Sequence, residues 1–137
     1  MENELVFGPE EEAEADRLIR IALAEDLPAG DVTSESLIPG RARVRAAFVP
    51  REAGPVAGIP VAVRLFAALD RRIEVGPAAR DGAGVEAGRE ILEVAGPALP
   101  ILAGERAALN FLQRLSGIAT RARRWSELLA GAGAALL

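Results

Sequence analysis

The stretch GERAALNFLQRLSGIATRARRWSELL, residues 104–129, has the clearest periodicity in the chain. Its apolar residues recur at intervals of three or four positions, which predicts one long amphipathic helix. We expect the apolar face of this helix to pack on a hydrophobic core. The residues assigned to that face are Ala108, Phe111, Leu112, Leu115, Ile118, Ala119, Ala122, Trp125 and Leu129.

The opposite face of the predicted helix combines arginines, two amides and a glycine. Gly117 costs ~1 kcal/mol relative to alanine inside a helix, so it indicates a close approach to the backbone or a break in the helix. Arg106 follows Gly-Glu at the predicted helix start, where its guanidinium and the helix N-terminus would both favour a carboxylate. A solvated arginine is the alternative interpretation. The polar face consists of Arg106, Asn110, Gln113, Gly117, Arg121 and Arg124.

Missing residue types exclude several chemistries. The 137 residues carry a net charge of −4 and contain no Lys, His, Cys or Tyr. A histidine base, a cysteine nucleophile, a lysine Schiff base and a disulfide are therefore excluded within this chain. A zinc site would need carboxylates alone, which is not typical of zinc. No apolar run reaches the ~20 residues that span a bilayer, and the N-terminus is acidic, unlike a signal peptide. We expect a soluble, cytoplasmic protein.

The first half of the chain predicts two helices and a strand. Pro9 followed by three glutamates predicts a helix start, and this helix is expected to end near Leu27. A turn-rich loop over residues 28–34 follows. Residues 41–49 alternate between arginine and apolar side chains, which predicts a half-buried strand with a solvated arginine face. A second helix is predicted over residues 59–69. In the loop, capping and turn roles are expected for Asp31, Thr33 and Ser34.

The second half predicts short strands before the long helix. Residues 72–75 indicate a short strand, and the evenly spaced glycines of residues 81–88 predict tight turns between further short strands. Pro97 and Pro100 are expected to end this part, so that the long helix begins at Gly104. The whole order predicts an α+β fold with a mostly antiparallel sheet and flanking helices. Residues 134–137 indicate the start of a buried strand.

Several segments together resemble one family, the quinolinate phosphoribosyltransferases, also called carboxylating nicotinate-nucleotide pyrophosphorylases. The last matching segment is the longest and most specific. The resemblance implies an α/β-hammerhead type N-terminal domain over residues 1–111, followed by the first helix and strand start of an incomplete α/β barrel over residues 112–137. The matching segments are ALAEDL (22–27), GDVTS (30–34), REAG and VAG (within 51–58), DG…G (81–88) and GERAALNFLQRLSGIAT (104–120).

This resemblance also implies an activity. Family members transfer a phosphoribosyl group from phosphoribosyl pyrophosphate to quinolinate and release carbon dioxide and pyrophosphate. The product is nicotinate mononucleotide, in NAD biosynthesis, and magnesium accompanies the pyrophosphate. Members are homodimers in which the first domain of one subunit closes the site of its partner. The arginine of the Gly-Glu-Arg motif, here Arg106, binds a quinolinate carboxylate in the partner's site. Helix packing and the dimer interface are the roles assigned to Asn110, Gln113, Ser116 and Thr120.

In the family, an Asp-Thr-Arg-Lys-Thr motif and the other phosphate-binding residues follow the point where these 137 residues stop. No catalytic residue and no magnesium ligand is therefore expected within this chain, and the chain alone is expected to be inactive. Three alternatives stay open. A transferase-like protein of the molybdenum-transport type shares the SGIAT segment (116–120), and a non-enzymatic binding or assembly domain is also compatible. Nucleic-acid binding through Arg121, Arg123 and Arg124 is disfavoured by the net negative charge and the single Trp.

Overall fold

Three helices and five short strands make up the described part of the chain, residues 7–26 and 39–132 of a computed structural model. The predicted loop over residues 28–34 and the predicted strand start at residues 134–137 lie outside the described residues. The elements, in our own labels, are α1 (Pro9–Asp26), β1 (Arg43–Phe48), β2 (Gly54–Pro55), α2 (Ile59–Leu69), β3 (Glu74–Ala78), β4 (Gly84–Val85), β5 (Leu92–Pro97) and α3 (Ala98–Ala130).

The strands form a three-stranded sheet and a separate two-stranded ribbon, and all their pairings are antiparallel. In the sheet, β5 lies between β1 and β3, with Phe48 opposite Leu92 at one end of the β1–β5 pair. The ribbon pairs β2 with β4. Its tight turns contain Gly82 and Gly88, whose positive φ angles of 84° and 79° are readily adopted only by glycine. The α+β class and the glycine turns predicted from the sequence are confirmed.

The arginine face of β1 is balanced by carboxylates from the other two strands of the sheet. Arg45 pairs with Glu93 of β5, and Arg43 lies 3.8 Å from a carboxylate oxygen of Glu74 in β3. Both arginine side chains are largely exposed. The strand predicted over residues 41–49 is thus present over 43–48 with a solvated arginine face. On the other face Phe48 is buried, but Val44 is exposed.

A side-chain turn after α2 displaces the next strand from its predicted position. Residues 72–75 were predicted as a strand, but β3 begins at Glu74. The reason is Asp70, whose carboxylate accepts a 2.8 Å hydrogen bond from the backbone N–H of Arg72 and further bonds from its guanidinium. This Asx-type turn holds residues 71 and 72 outside the sheet.

The same contacts make Asp70 a determinant of acid stability. Side-chain and backbone hydrogen bonds from Arg72 lower the pKa of Asp70 from 3.8 to about 2. Its ionised form therefore stabilises the fold above its ordinary pKa, and this contribution is lost as the pH falls toward about 2. We expect Asp70→Asn to weaken the loss of stability of the 137-residue chain between about pH 4 and pH 2. Urea unfolding at several pH values in this range gives the free energy of unfolding of both proteins. The same dependence of this free energy on pH in both would contradict the prediction.

The core lies between the sheet and the three helices. No polar or charged residue is buried in the described ranges. A bidentate ion pair at its margin joins α1 to α2: Arg64 donates to both carboxylate oxygens of Asp16, at 2.9 and 2.8 Å. These bonds lower the pKa of Asp16. The largest fully buried side chains are Phe66, Ile19, Leu65, Leu92, Val56 and Val94.

The start of α2 is capped by a residue from the ribbon turn. Asp81 accepts hydrogen bonds from the backbone N–H groups of Gly58 and Ile59, at 2.8 and 2.9 Å. It thereby satisfies donors that have no intrahelical acceptor. Because helix caps are ordinarily supplied by the residue just before the helix, this cap from more than twenty residues away was not predicted.

Asp81→Ala should therefore destabilise the 137-residue chain although the residue does not belong to a helix or strand. We expect its free energy of unfolding to fall by ~1 kcal/mol, the usual value for a lost N-cap. Urea unfolding gives the measurement. The matched control is Glu86→Ala in the same ribbon, whose carboxylate makes only an exposed pair with Arg89 and should contribute about 0–0.5 kcal/mol. Equal effects of the two substitutions would show that the cap is unimportant.

The long helix α3 begins six residues before its predicted start. It runs from Ala98 to Ala130, with Pro97 as its N-cap. Pro97 ends β5 and precedes the helix, as predicted, but Pro100 lies in the first helical turn. A proline is tolerated there because its missing N–H would have no intrahelical acceptor. Of the two alternatives at Gly117, the break is wrong, since the helix is continuous there. No close approach is found among the described residues, because, apart from the adjacent part of the helix itself, none lies within 4 Å of a Cβ built at this position. The predicted domain boundary after residue 111 falls inside α3 and stays a prediction.

The apolar face of α3 is covered only along its first half. Ala108 and Leu112 are buried, and Phe111 and Leu115 pack partly against the core. Farther along, Ile118 is 58% exposed and Trp125 is 57% exposed. Packing of this face on a core is therefore confirmed for the first half of the helix, and the described residues leave most of its second half exposed. Within the described ranges, no helix is long and apolar enough to cross a membrane.

Candidate functional site

Arg106 lies on the exposed face of α3, in the third turn of the helix. Because α3 starts at Ala98, the predicted help from the helix N-terminus is wrong: the dipole effect falls off within the first turn. In the described part of the chain the guanidinium forms no ion pair. Its five donors are thus presented to the surroundings in the fork geometry that suits a carboxylate.

A shallow depression of ≈ 400 Å³ surrounds the Arg106 side chain. All of its residues belong to α3, so it is one wall of a site that is open on the other side. Two partly buried leucines lie there beside one cation, one carboxylate and two amides, so the depression offers apolar surface and a few polar groups that could orient a ligand. The lining residues are Leu102, Glu105, Arg106, Leu109, Asn110 and Gln113.

A second depression, of ≈ 210 Å³, lies between the end of α1 and α3. Asn110 lines both depressions, and Glu25, Asp26 and Arg114 supply mixed charges. The motif segment at residues 22–27 therefore meets the segment at residues 104–120 at this place. Asn110 and Gln113 are exposed on α3, and their predicted role in packing or an interface stays a prediction.

Ser116 and Thr120 occupy a different position, against the β2 end of the ribbon. The Ser116 hydroxyl accepts a 3.0 Å hydrogen bond from the Ala57 N–H and donates to the Ala57 carbonyl oxygen at 3.3 Å. Thr120 donates to the Ser116 carbonyl oxygen at 2.8 Å, and its hydroxyl oxygen would lie 3.7 Å from a Cβ on Gly54. These contacts tie α3 to the ribbon within one chain, and a role in a dimer interface stays a prediction.

Arg123 provides a further connection that the sequence did not reveal. Its guanidinium donates a 2.8 Å hydrogen bond to the carbonyl oxygen of Gly82, in the same turn that carries the Asp81 cap. The ribbon segments at residues 51–58 and 81–88 are therefore both anchored to the segment at residues 104–120. Nothing in local spacing pointed to Arg123, because it was one of several exposed arginines on a helix.

The family to which these segments point is settled by comparison with known proteins. The sequence model described as "Quinolinate phosphoribosyl transferase, N-terminal domain" matches residues 31–116, more than half of the chain. The chain belongs to this family. The match ends inside the long final motif, so it contains Arg106, Asn110, Gln113 and Ser116 but not Thr120.

The names of individual relatives agree with membership of the quinolinate phosphoribosyltransferase family. The chain is 42% identical over 104 residues to a chloroplastic carboxylating nicotinate-nucleotide pyrophosphorylase of Arabidopsis thaliana, covering 75% of this chain and 30% of that protein. It is 39% identical over 111 residues to a quinolinate phosphoribosyltransferase of Nicotiana tabacum, covering 80% and 32%. The chain thus spans about a third of the length of these curated relatives.

A solved structure shows that the fold also matches. The nicotinate-nucleotide pyrophosphorylase of Francisella tularensis superposes with a TM-score of 0.79 at 32% sequence identity, covering 85% of this chain and 41% of that one. The α+β architecture described above is therefore that of the N-terminal part of a quinolinate phosphoribosyltransferase. The matching family model and the names of these relatives favour the quinolinate phosphoribosyltransferases over the molybdenum-transport alternative.

Proposed function

We propose that the whole protein to which these residues belong is a nicotinate-nucleotide diphosphorylase (carboxylating), a glycosyltransferase of NAD biosynthesis. Its reaction joins quinolinate and phosphoribosyl pyrophosphate to give nicotinate mononucleotide, pyrophosphate and carbon dioxide. The observation that carries the proposal is the family match over residues 31–116. The names of the relatives, which are those of carboxylating pyrophosphorylases and quinolinate phosphoribosyltransferases, support it.

Within that reaction, the proposed role of this chain is to supply Arg106 to a site completed by another surface. Quinolinate carries two adjacent carboxylates on a flat ring, and the depression on α3 offers a forked cation beside leucine side chains. Phosphoribosyl transfer depends on positioning and charge complementarity rather than on a protein nucleophile. A chain without His, Lys or Cys can therefore contribute by binding and orienting one substrate.

The second surface is proposed to belong to the partner subunit of a homodimer. A depression built by a single helix leaves one side of a bound ring uncovered, so a second surface is needed to complete the site. No nucleic acid or membrane partner is proposed, and a cytoplasmic location stays a prediction.

Magnesium is expected with phosphoribosyl pyrophosphate, but the described residues do not fit its site. No group of three or more acidic side chains converges within residues 7–26 and 39–132 in a way that could hold a metal ion. Neither does the chain contain a lysine for the pyrophosphate. We therefore assign the metal and phosphate contacts to other parts of the protein and derive no step through them.

The proposal is tested by following nicotinate mononucleotide formation from quinolinate and phosphoribosyl pyrophosphate. We expect the full-length protein to form this product and the 137 residues expressed alone to form none. Both proteins are purified from a host that lacks its own quinolinate phosphoribosyltransferase, because the host enzyme is the main source of background product. A full-length protein that makes no product, or an isolated chain that turns over both substrates, would contradict the assignment.

A further inference from the structure

The approach of α3 to α2 depends on the absence of a side chain at Gly104. This residue is buried where the two helices cross. A Cβ added there would lie 2.5 Å from Cδ1 of Leu69, and 3.0 Å from both Cδ2 of Leu65 and Cε1 of Phe66. The first of these distances is shorter than any normal contact. Glycine inside a helix costs ~1 kcal/mol relative to alanine, so this close packing supplies a reason for its presence.

The neighbours on α2 differ in their freedom to move. Leu65 and Phe66 are fully buried in the core, where rearrangement is restricted by close packing. Leu69 is only partly buried, at the end of α2, but its terminal methyl makes the shortest contact. Rotation of the Leu69 methyl can relieve the shortest contact. The 3.0 Å contacts with the fixed side chains of Leu65 and Phe66 then leave the remaining adjustment, a few tenths of an ångström, to movement of α3 away from α2.

Such a movement bears directly on Arg106. Residues two apart in an α-helix point about 200° apart around its axis, so Arg106 lies on the side of α3 opposite to Gly104. A shift of α3 away from α2 carries Arg106 outward, toward whatever faces it. A bidentate arginine–carboxylate pair requires a defined distance and plane, and small misplacements of binding groups have large kinetic effects.

We propose that Gly104 is a positioning residue of the quinolinate site, which acts by setting the distance of Arg106 from the core of its own domain. This inference rests on the function proposed above, in which Arg106 binds a quinolinate carboxylate. It gives the first residue of the Gly-Glu-Arg motif a role of its own. The absence of a side chain at Gly104 lets α3 pack closely on α2, and this packing fixes the position of Arg106.

Steady-state kinetics of full-length variants test the proposal. Gly104→Ala should raise KM for quinolinate about tenfold while KM for phosphoribosyl pyrophosphate stays unchanged. Adding Leu69→Ala, which removes the nearest contact, should restore KM for quinolinate toward the wild-type value. Leu69→Phe enlarges the same contact from the α2 side and leaves the Gly-Glu-Arg motif intact. It should also raise KM for quinolinate, so it tests the proposal even when Gly104→Ala fails to fold.

A control separates positioning from stability. Val56→Ala truncates a buried side chain in the ribbon, so it should lower Tm but leave KM for quinolinate unchanged. Three results would overturn the proposal. Val56→Ala could raise KM for quinolinate as much as Gly104→Ala does, or Gly104→Ala could raise KM equally for both substrates. The third is that neither Gly104→Ala nor Leu69→Phe raises KM for quinolinate. If Arg106→Ala itself leaves KM unchanged, the proposed function fails. If Arg106→Ala raises KM for quinolinate but Gly104→Ala and Leu69→Phe leave it unchanged, only the positioning role of Gly104 fails.

Discussion

Replacing Arg106 by alanine in the full-length protein should lower kcat/KM for quinolinate by about tenfold or more, with Tm nearly unchanged. Arg106 is exposed and forms no ion pair within the described residues, so its loss leaves no cavity and little change in stability. A charge-assisted hydrogen bond to a shielded carboxylate contributes ~1.5–3 kcal/mol, and each ~1.4 kcal/mol corresponds to a factor of ten.

Two further variants sharpen this prediction. Arg106→Lys should restore only part of the lost kcat/KM because a lysine ammonium cannot reproduce the two-pronged geometry of a guanidinium. Arg89→Ala is the matched control, since it removes an exposed arginine that pairs with Glu86 in the ribbon. If Arg106 makes only surface contacts, its removal would change stability by ~0–1 kcal/mol and leave the kinetics equal to those of the Arg89 variant.

Replacing Phe66 by alanine should have the largest effect on folding. Phe66 is fully buried on α2, and its ring lies 5.9 Å from that of Phe48, at an interplanar angle of 59°. This residue therefore joins the helical layer to strand β1. Truncation of a buried phenylalanine costs ~3–5 kcal/mol, a large part of the ~5–15 kcal/mol that stabilises a typical domain.

Urea unfolding of the 137-residue chain measures this loss. Leu128→Ala is the control, because Leu128 is 62% exposed on the second half of α3 and its truncation should change the free energy of unfolding by about 0.5 kcal/mol or less. A loss below ~1 kcal/mol for Phe66→Ala, or equal losses for the two variants, would mean that the core does not centre on the contact between α2 and the sheet.

The sequence was sufficient to predict the elements that have a strong local pattern. The arginine–apolar alternation of residues 41–49, the single proline and the acids at the start of α1, and the glycines of residues 81–88 each reflect a local physical preference, and each corresponds to an element of the structure. Arg106 was also correctly placed on an exposed helix face. Its role as a carboxylate ligand stays a prediction.

Features that depend on contacts distant in sequence were not predictable in the same way. The cap of α2 by Asp81, the anchoring of the Gly82 turn by Arg123 and the Arg64–Asp16 pair all join residues more than twenty positions apart. The start of α3 was missed because Pro100 was interpreted as a breaker, although the first helical turn tolerates a proline. Apolar periodicity predicted a helix face but could not indicate how far along the helix the described residues cover it.

The most direct test of the proposed shared site is a subunit-mixing experiment with full-length protein. One partner carries Arg106→Ala, and the other carries an inactivating substitution in the remaining part of the site. If each site takes its barrel from one subunit and Arg106 from the other, a mixed dimer has one complete site of its two. Equal mixing of these inactive proteins should then restore about one quarter of wild-type activity, because half of the dimers are mixed. A mixture as inactive as its parents, with mixed dimers demonstrably formed, would contradict the account.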